Sequence, residues 1–371
     1  MKVTREEFLA GLEKDNIQED MAEQLKRESL PLVLWGCGDV AEALYQYLKQ
    51  QEIPIAAVWL DADFPQMTFH GMQTKKLEQV AAEFPRFNVI LGHSHYDKGR
   101  SLPEKIPQIQ KVFYAFSIHY EQYEKVPYEQ IETEAERFVR LCNHVEDEAS
   151  VHNLMAYLNT KMTGNADYIL DSYEKPMSFY RNDVFHMSDE EGFLDIGAYN
   201  GDTIKLFLEE TGGKYKKIIA LEPDDKSFLE LNEYLSRERI RNVVTSKIGA
   251  WNRQEDLLFK TGNEQISSVA MGDNILKASD TITIYADRLD EVYGQEDISF
   301  IKINYYEGVL EAIEGCSGIL KRCHPKLAID VGFDIYNVLK LSEFLSSLEL
   351  GYKLYLRFNR AMSSTFTLYA I

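Results

Sequence analysis

Apolar residues along this 371-residue chain fall into short runs, separated by polar stretches of helical rhythm. Leu32-Val-Leu-Trp35 reads as a buried strand, Gly36-Cys-Gly38 as a turn and Val40 to Leu48 as a helix. Apolar runs at 55–60, 88–91 and 111–114 extend the series, and strands alternating with helices imply parallel βαβ units. The rhythm resumes after Gly192, with strands predicted near 193–196, 218–222, 243–248, 299–303 and 327–331. Two closing runs, Tyr352–Arg357 and Thr365–Ala370, flank a short, mostly polar loop and are expected to pair antiparallel. Between the halves, residues 121–173 keep helical spacing through Phe138, Leu141, Val145, Leu154, Tyr157 and Leu158. One or two helices are expected in residues 1–29. The pattern predicts an α/β chain of two Rossmann-like, doubly wound units: 1–119, a helical connector 120–174, and 175–371.

Composition narrows the function. Sixty acidic against forty basic residues give a net charge of −20. Such a surface opposes nucleic-acid phosphates and anionic membranes alike, so neither is an expected partner. No apolar run reaches membrane-spanning length, and the charged start Met1–Glu7 is no signal peptide. Four scattered cysteines without a C-x-x-C pair, and no export signal, point to a reduced cytoplasm. His93-Ser-His95 lacks a third ligand nearby and reads as a polar loop rather than a metal site. Nothing in the sequence fixes the oligomeric state.

The most informative stretch is Phe193 to Thr203, followed by Ile218 to Pro223. It reads as strand, glycine turn, helix and a second strand ending in a carboxylate. Gly197 and Gly201 allow a sharp turn and close approach to a ligand. Glu222 is placed to accept hydrogen bonds from a ribose diol. A dinucleotide turn would read G-x-G-x-x-G around a pyrophosphate, which Asp195 would repel. A carboxylate there suits a cationic amino-acid tail, which points to S-adenosylmethionine rather than NAD.

The pattern D-x-G-A-x-x-G-D-T from Asp195 to Thr203, with Glu222-Pro223 behind it, resembles class I methyltransferases, most closely the FkbM family. Ser267-Ser268, Leu289-Asp290-Glu291, Phe300–Ile303 and the closing Thr367–Ile371 extend the resemblance over about the last half of the chain. It implies a parallel sheet ending in an antiparallel hairpin, S-adenosylmethionine as cofactor, and O-methylation of a small or sugar-like acceptor. Asp195, Gly197, Ala198, Tyr199, Gly201, Asp202, Thr203, Glu222 and Pro223 are the expected cofactor residues, with Asp195 and Asp202 taking the ammonium.

The family's I-K-x-D-x-E-G-A-E is altered here to Ile301-Lys-Ile-Asn-Tyr-Tyr-Glu-Gly-Val309. In an ungapped match Asn304 replaces the aspartate and Tyr306 the glutamate. A one-residue slip restores Glu307-Gly308 but puts Tyr305 at the aspartate. A hydroxyl acceptor must lose a proton, and Asn cannot take it. Lys302, Asn304 and Glu307 are the catalytic candidates, with Tyr305, Tyr306, Ser267 and Ser268 on the acceptor side. Transfer using Glu307, positioning by Asn304 and Tyr306, and cofactor binding without turnover all stay open. Gly36, Gly38 and Asp61 form a looser nucleotide fingerprint in the first unit, which leaves an NAD(P)-dependent oxidoreductase as a further alternative.

Overall fold

The computed structural model describes residues 2–14, 21–61, 64–93, 96–114, 125–173, 178–180, 182–260, 268–269, 281–305, 308–332, 334–359 and 366–371. The amino-terminal half carries β1 (Leu32–Trp35), β2 (Ala57–Trp59), the antiparallel hairpin β3 (Thr68–Phe69) and β4 (Met72–Gln73), then β5 (Phe87–Leu91) and β6 (Ile109–Phe113). Strands β2-β1-β5-β6 form one sheet, parallel throughout. Every residue of β1, β2 and β5 is buried, because both sheet faces are covered. Leu32, Leu34, Val58 and Ile90 pack with Leu44 and Leu48 of helix Asp39–Gln50, whereas Val33, Trp35, Val89 and Leu91 join the main core.

The carboxy-terminal half contributes β7 (Gly192–Ile196), β8 (Lys217–Leu221), β9 (Val243–Ser246), β10 (Gly249–Ala250), β11 (Glu255–Lys260), β12 (Ser268–Val269), β13 (Thr281–Asp287), β14 (Phe300–Ile303), β15 (Lys326–Asp330), β16 (Leu354–Phe358) and β17 (Phe366–Ala370). Seven of these form a sheet of order β16-β17-β15-β14-β7-β8-β9. Strands β7, β8, β9, β14 and β15 are parallel, and β17 runs antiparallel to both β15 and β16. This is the predicted parallel sheet with its closing hairpin.

Two features depart from the sequence reading. The strand expected over 243–248 stops at Ser246; the chain turns away, and Gly249-Ala250 pairs with β13 instead. A second sheet, β10-β13-β11-β12, was not foreseen. It buries Phe259, Ile284 and Ala286 with Trp251, while Leu258 and Tyr285 stay exposed on its outer face.

The stretch between the two sheets carries helices Tyr128–Thr133, Ala135–His144, Glu148–Thr163 and Asp167–Ser172. Helix Glu148–Thr163 is buried on most sides and lies along β16, an edge that would otherwise present unpaired backbone. Asn153 Nδ2 donates to the Leu356 carbonyl at 2.9 Å, and the Leu356 amide donates to Ser150 Oγ at 3.0 Å. Among the described residues, no helix is long and apolar enough to cross a membrane.

Candidate functional site

β7 runs straight into the glycine turn. Gly197 has φ +79°, and a Cβ there would lie 2.9 Å from the Asn304 carbonyl. Gly201 has φ +91°, and its Cβ would meet the Tyr234 ring at 2.6 Å. Both glycines are therefore demanded by the chain's own packing, quite apart from any ligand. The amides of Gly197 and Ala198 donate to the Leu221 carbonyl at 3.0 and 2.9 Å, pinning the turn across the end of β8. Ala198 is fully buried, and Tyr199 holds a positive φ of 48°. Asp202 begins helix Asp202–Glu210 with its side chain exposed.

Glu222, immediately after β8, reaches back under this turn. Its Oε2 accepts from the Tyr199 amide at 2.8 Å and its Oε1 from the Asp224 amide at 2.9 Å. The side chain is buried, which pushes its pKa up to about 7 against the pull of those two amides.

Lys302 and Asp195 correct the sequence reading. They lie opposite one another on neighbouring parallel strands, and neither side chain has any exposure. Lys302 Nζ donates to Asp195 Oδ1 at 2.8 Å and to the Gly197 carbonyl at 2.7 Å. Thr203 Oγ1 donates to Asp195 Oδ2 at 2.9 Å. Asp195 is thus neutralised from within, and the ammonium expected from a ligand is supplied by Lys302. Burial still raises the Asp195 pKa, because the loss of water outweighs the lysine's attraction. Lys302, expected to face the acceptor, instead lies under the turn and fixes its shape. Its charge also acts on Glu222 and Asp330, so one ammonium serves three carboxyls.

Residues 195–354 match the sequence model of the FkbM methyltransferase domain. That stretch is an FkbM-type methyltransferase domain by this match. The whole chain is similar in fold to an FkbM methyltransferase from Methylobacillus flagellatus, with TM-score 0.65 and 18% identity across 99% of this chain and 98% of that one. Slighter likenesses include Aeropyrum pernix fibrillarin with natively bound S-adenosyl-L-methionine (TM-score 0.31, 12% identity, 51% of this chain and 70% of that one). A Streptococcus mutans protein in complex with SAH is another (TM-score 0.32, 15% identity, 49% and 89%). No curated protein matches the chain significantly.

Within the FkbM domain, Asn304 follows β14, and its amide donates to the Ile196 carbonyl at 3.2 Å. Tyr305 OH reaches the Gly308 carbonyl at 3.5 Å. Gly308 has φ +81°, and a Cβ there would overlap the Trp251 ring, whose buried Nε1 has no hydrogen-bond partner among the described residues. Tyr306, Glu307 and Ser267 lie outside the described residues, as does the Ser268 side chain. Asp330, which the sequence reading passed over, is buried at the end of β15. Its apolar lead-in, Leu327-Ala-Ile329, made it look like an ordinary strand exit. A groove of about 820 Å³ opens at Asn200–Asp202 between helices Asp202–Glu210 and Asp225–Arg237. Glu209, Glu230, Glu233 and Glu238 line it, but Glu222 does not.

Outside the FkbM domain, the first glycine turn is also explained by packing. Gly36 has φ +123°, and its Cβ would fall 2.7 Å from the Gly92 carbonyl. Gly38 faces open space. Asp61 Oδ1 accepts from Trp35 Nε1 at 2.9 Å, and Trp35 stacks on Trp59 at 4.2 Å. The carboxylate of the looser nucleotide fingerprint is bound to the protein's own indole.

Proposed function

We propose that the FkbM domain transfers a methyl group from S-adenosylmethionine to a hydroxyl of a small or sugar-like acceptor. One observation carries this reading: a strand-end carboxylate, Glu222, is held rigidly under a locked glycine turn. Each of its oxygens accepts one backbone amide, which leaves a lone pair on each for the two hydroxyls of a ribose. Asp202, exposed at the turn, is free of the Lys302 pair and suits the ammonium of the cofactor's amino-acid end. The cofactor would supply an already activated methyl group, so the protein's share of catalysis is chiefly positioning. The hydroxyl acceptor follows from the family resemblance.

Calorimetric titration with S-adenosylmethionine, S-adenosylhomocysteine and NAD tests the reading. Both adenosyl ligands should bind, and Glu222→Ala should weaken both by about tenfold or more, the loss of one or two charge-assisted hydrogen bonds. Binding of NAD alone, unaffected by Glu222→Ala, would move the function to the first sheet.

A further inference from the structure

The FkbM domain lacks a carboxylate at position 304, but the neighbouring strand supplies one. β14 and β15 are parallel with Ile303 opposite Ile329, so the next residue on each strand, Asn304 and Asp330, sit side by side. Neighbouring strands are only about 4.8 Å apart, and residues in register on parallel strands point to the same face. That face already holds Asp195, Lys302 and Glu222 at the same carboxyl end, where ligands of open α/β sheets bind.

Asp330 is 3% exposed. Its Oδ1 accepts from the Gly332 amide at 2.8 Å, while among the described residues its Oδ2 has no hydrogen-bond partner. An ionised carboxylate oxygen with no donor of its own keeps its full capacity to accept a hydroxyl proton.

We propose that Asp330 is the general base of the transfer site, its free oxygen accepting the acceptor's hydroxyl proton while Asn304 hydrogen-bonds the same hydroxyl. This rests on the methyltransferase reading above. The proton passes to Asp330 as the acceptor oxygen bonds to the methyl carbon, and the electron pair of the broken carbon–sulfur bond remains on sulfur. The acceptor leaves as a methyl ether and the donor as a neutral thioether, so charge balances.

The electrostatics agree with that role. Burial pushes the Asp330 carboxyl up to about 7, opposed by the Gly332 amide and the charge of Lys302 on β14. The Tyr369 phenol on β17 also faces it, and burial keeps that phenol protonated. Asp195 and Glu222 lie beyond Lys302. A base titrating near 7 is matched to its task at neutral pH.

A sulfonium beside Asp330 favours its ionised form, whereas the neutral thioether does not. Below pH 7 Asp330 is protonated and this attraction is lost, so the affinity for S-adenosylmethionine relative to S-adenosylhomocysteine rises with pH. Groups that meet both ligands alike, Glu222 and Asp202 among them, cancel in the ratio. Titrating the full chain with both ligands from pH 6 to 8 should show the ratio climbing about fivefold, which is what a one-unit fall in the Asp330 pKa from about 7 produces over that range. In Asp330→Asn, or in Asp330→Ser should the first not fold, the ratio should stay flat. A flat ratio in the unaltered protein, or a climb that survives either substitution, overturns the inference while leaving the methyltransferase reading intact. If neither ligand binds, that reading itself fails and this one falls with it.

Discussion

Lys302 is an ammonium with no exposed surface, held between Asp195 and the Gly197 carbonyl. Its removal would leave Asp195 charged, buried and unpaired. Lys302→Met is expected to cost about 3–5 kcal/mol, the usual penalty for breaking one side of a buried pair. The double substitution Lys302→Met with Asp195→Leu should cost clearly less than the sum of the two singles, because no orphan charge remains. Urea unfolding of the three variants reads this coupling; strict additivity would mean that the pair is not an energetic unit. The sequence named both residues yet misjudged their roles. Spacing along a strand says which residues share a face, but not that a lysine on the next strand will turn inward to meet a carboxylate. Asp330 was illegible for a related reason. Only the register of β14 against β15 sets it beside Asn304.

At the scale of elements, the buried strands and the amphipathic helices were legible because their periodicities differ so plainly. The small sheet was not. In β13, Thr-Ile-Thr-Ile-Tyr-Ala-Asp alternates, but its outer face is exposed and its partners arrive from separate loops. Helix termini repeat a single device with unequal consequences. Asp224 caps helix Asp225–Arg237, accepting from the Ser227 amide at 2.8 Å. Asp147 caps helix Glu148–Thr163 in the same way, but its Oδ2 also accepts from Arg357 Nη2 at 2.6 Å. Arg357 is buried on β16, with Asp183 as its other carboxylate partner. Asp224→Ala should therefore cost about 1 kcal/mol, an ordinary cap. Asp147→Ala should cost about 3 kcal/mol, since a buried guanidinium loses a partner as well. Equal shifts of the two denaturation midpoints would show that Arg357 is satisfied by Asp183 alone.

Across the whole molecule, the predicted boundary at 174/175 meets a physical obstacle. Helix Glu148–Thr163 precedes that boundary, yet it covers the β16 edge and fills the core of the seven-stranded sheet. Leu154, Tyr157 and Leu158 are fully buried, and Tyr157 stacks on Phe366 at 4.4 Å. The Tyr157 hydroxyl donates to the Gly332 carbonyl at 3.4 Å, two residues beyond Asp330. Losing these three side chains alone removes about 5–8 kcal/mol of burial, against a net stability of about 5–15 kcal/mol for a typical domain. A chain shortened to 175–371 should therefore lack a cooperative urea transition. One beginning at 126 keeps the helix and should unfold in a single step at clearly higher urea. Because Tyr157 also braces the loop after Asp330, the shorter chain should lose S-adenosylhomocysteine binding along with its stability. If 175–371 unfolds cooperatively at the same midpoint as 126–371, the helix is a connector and nothing more, and the site stands on the sheet alone.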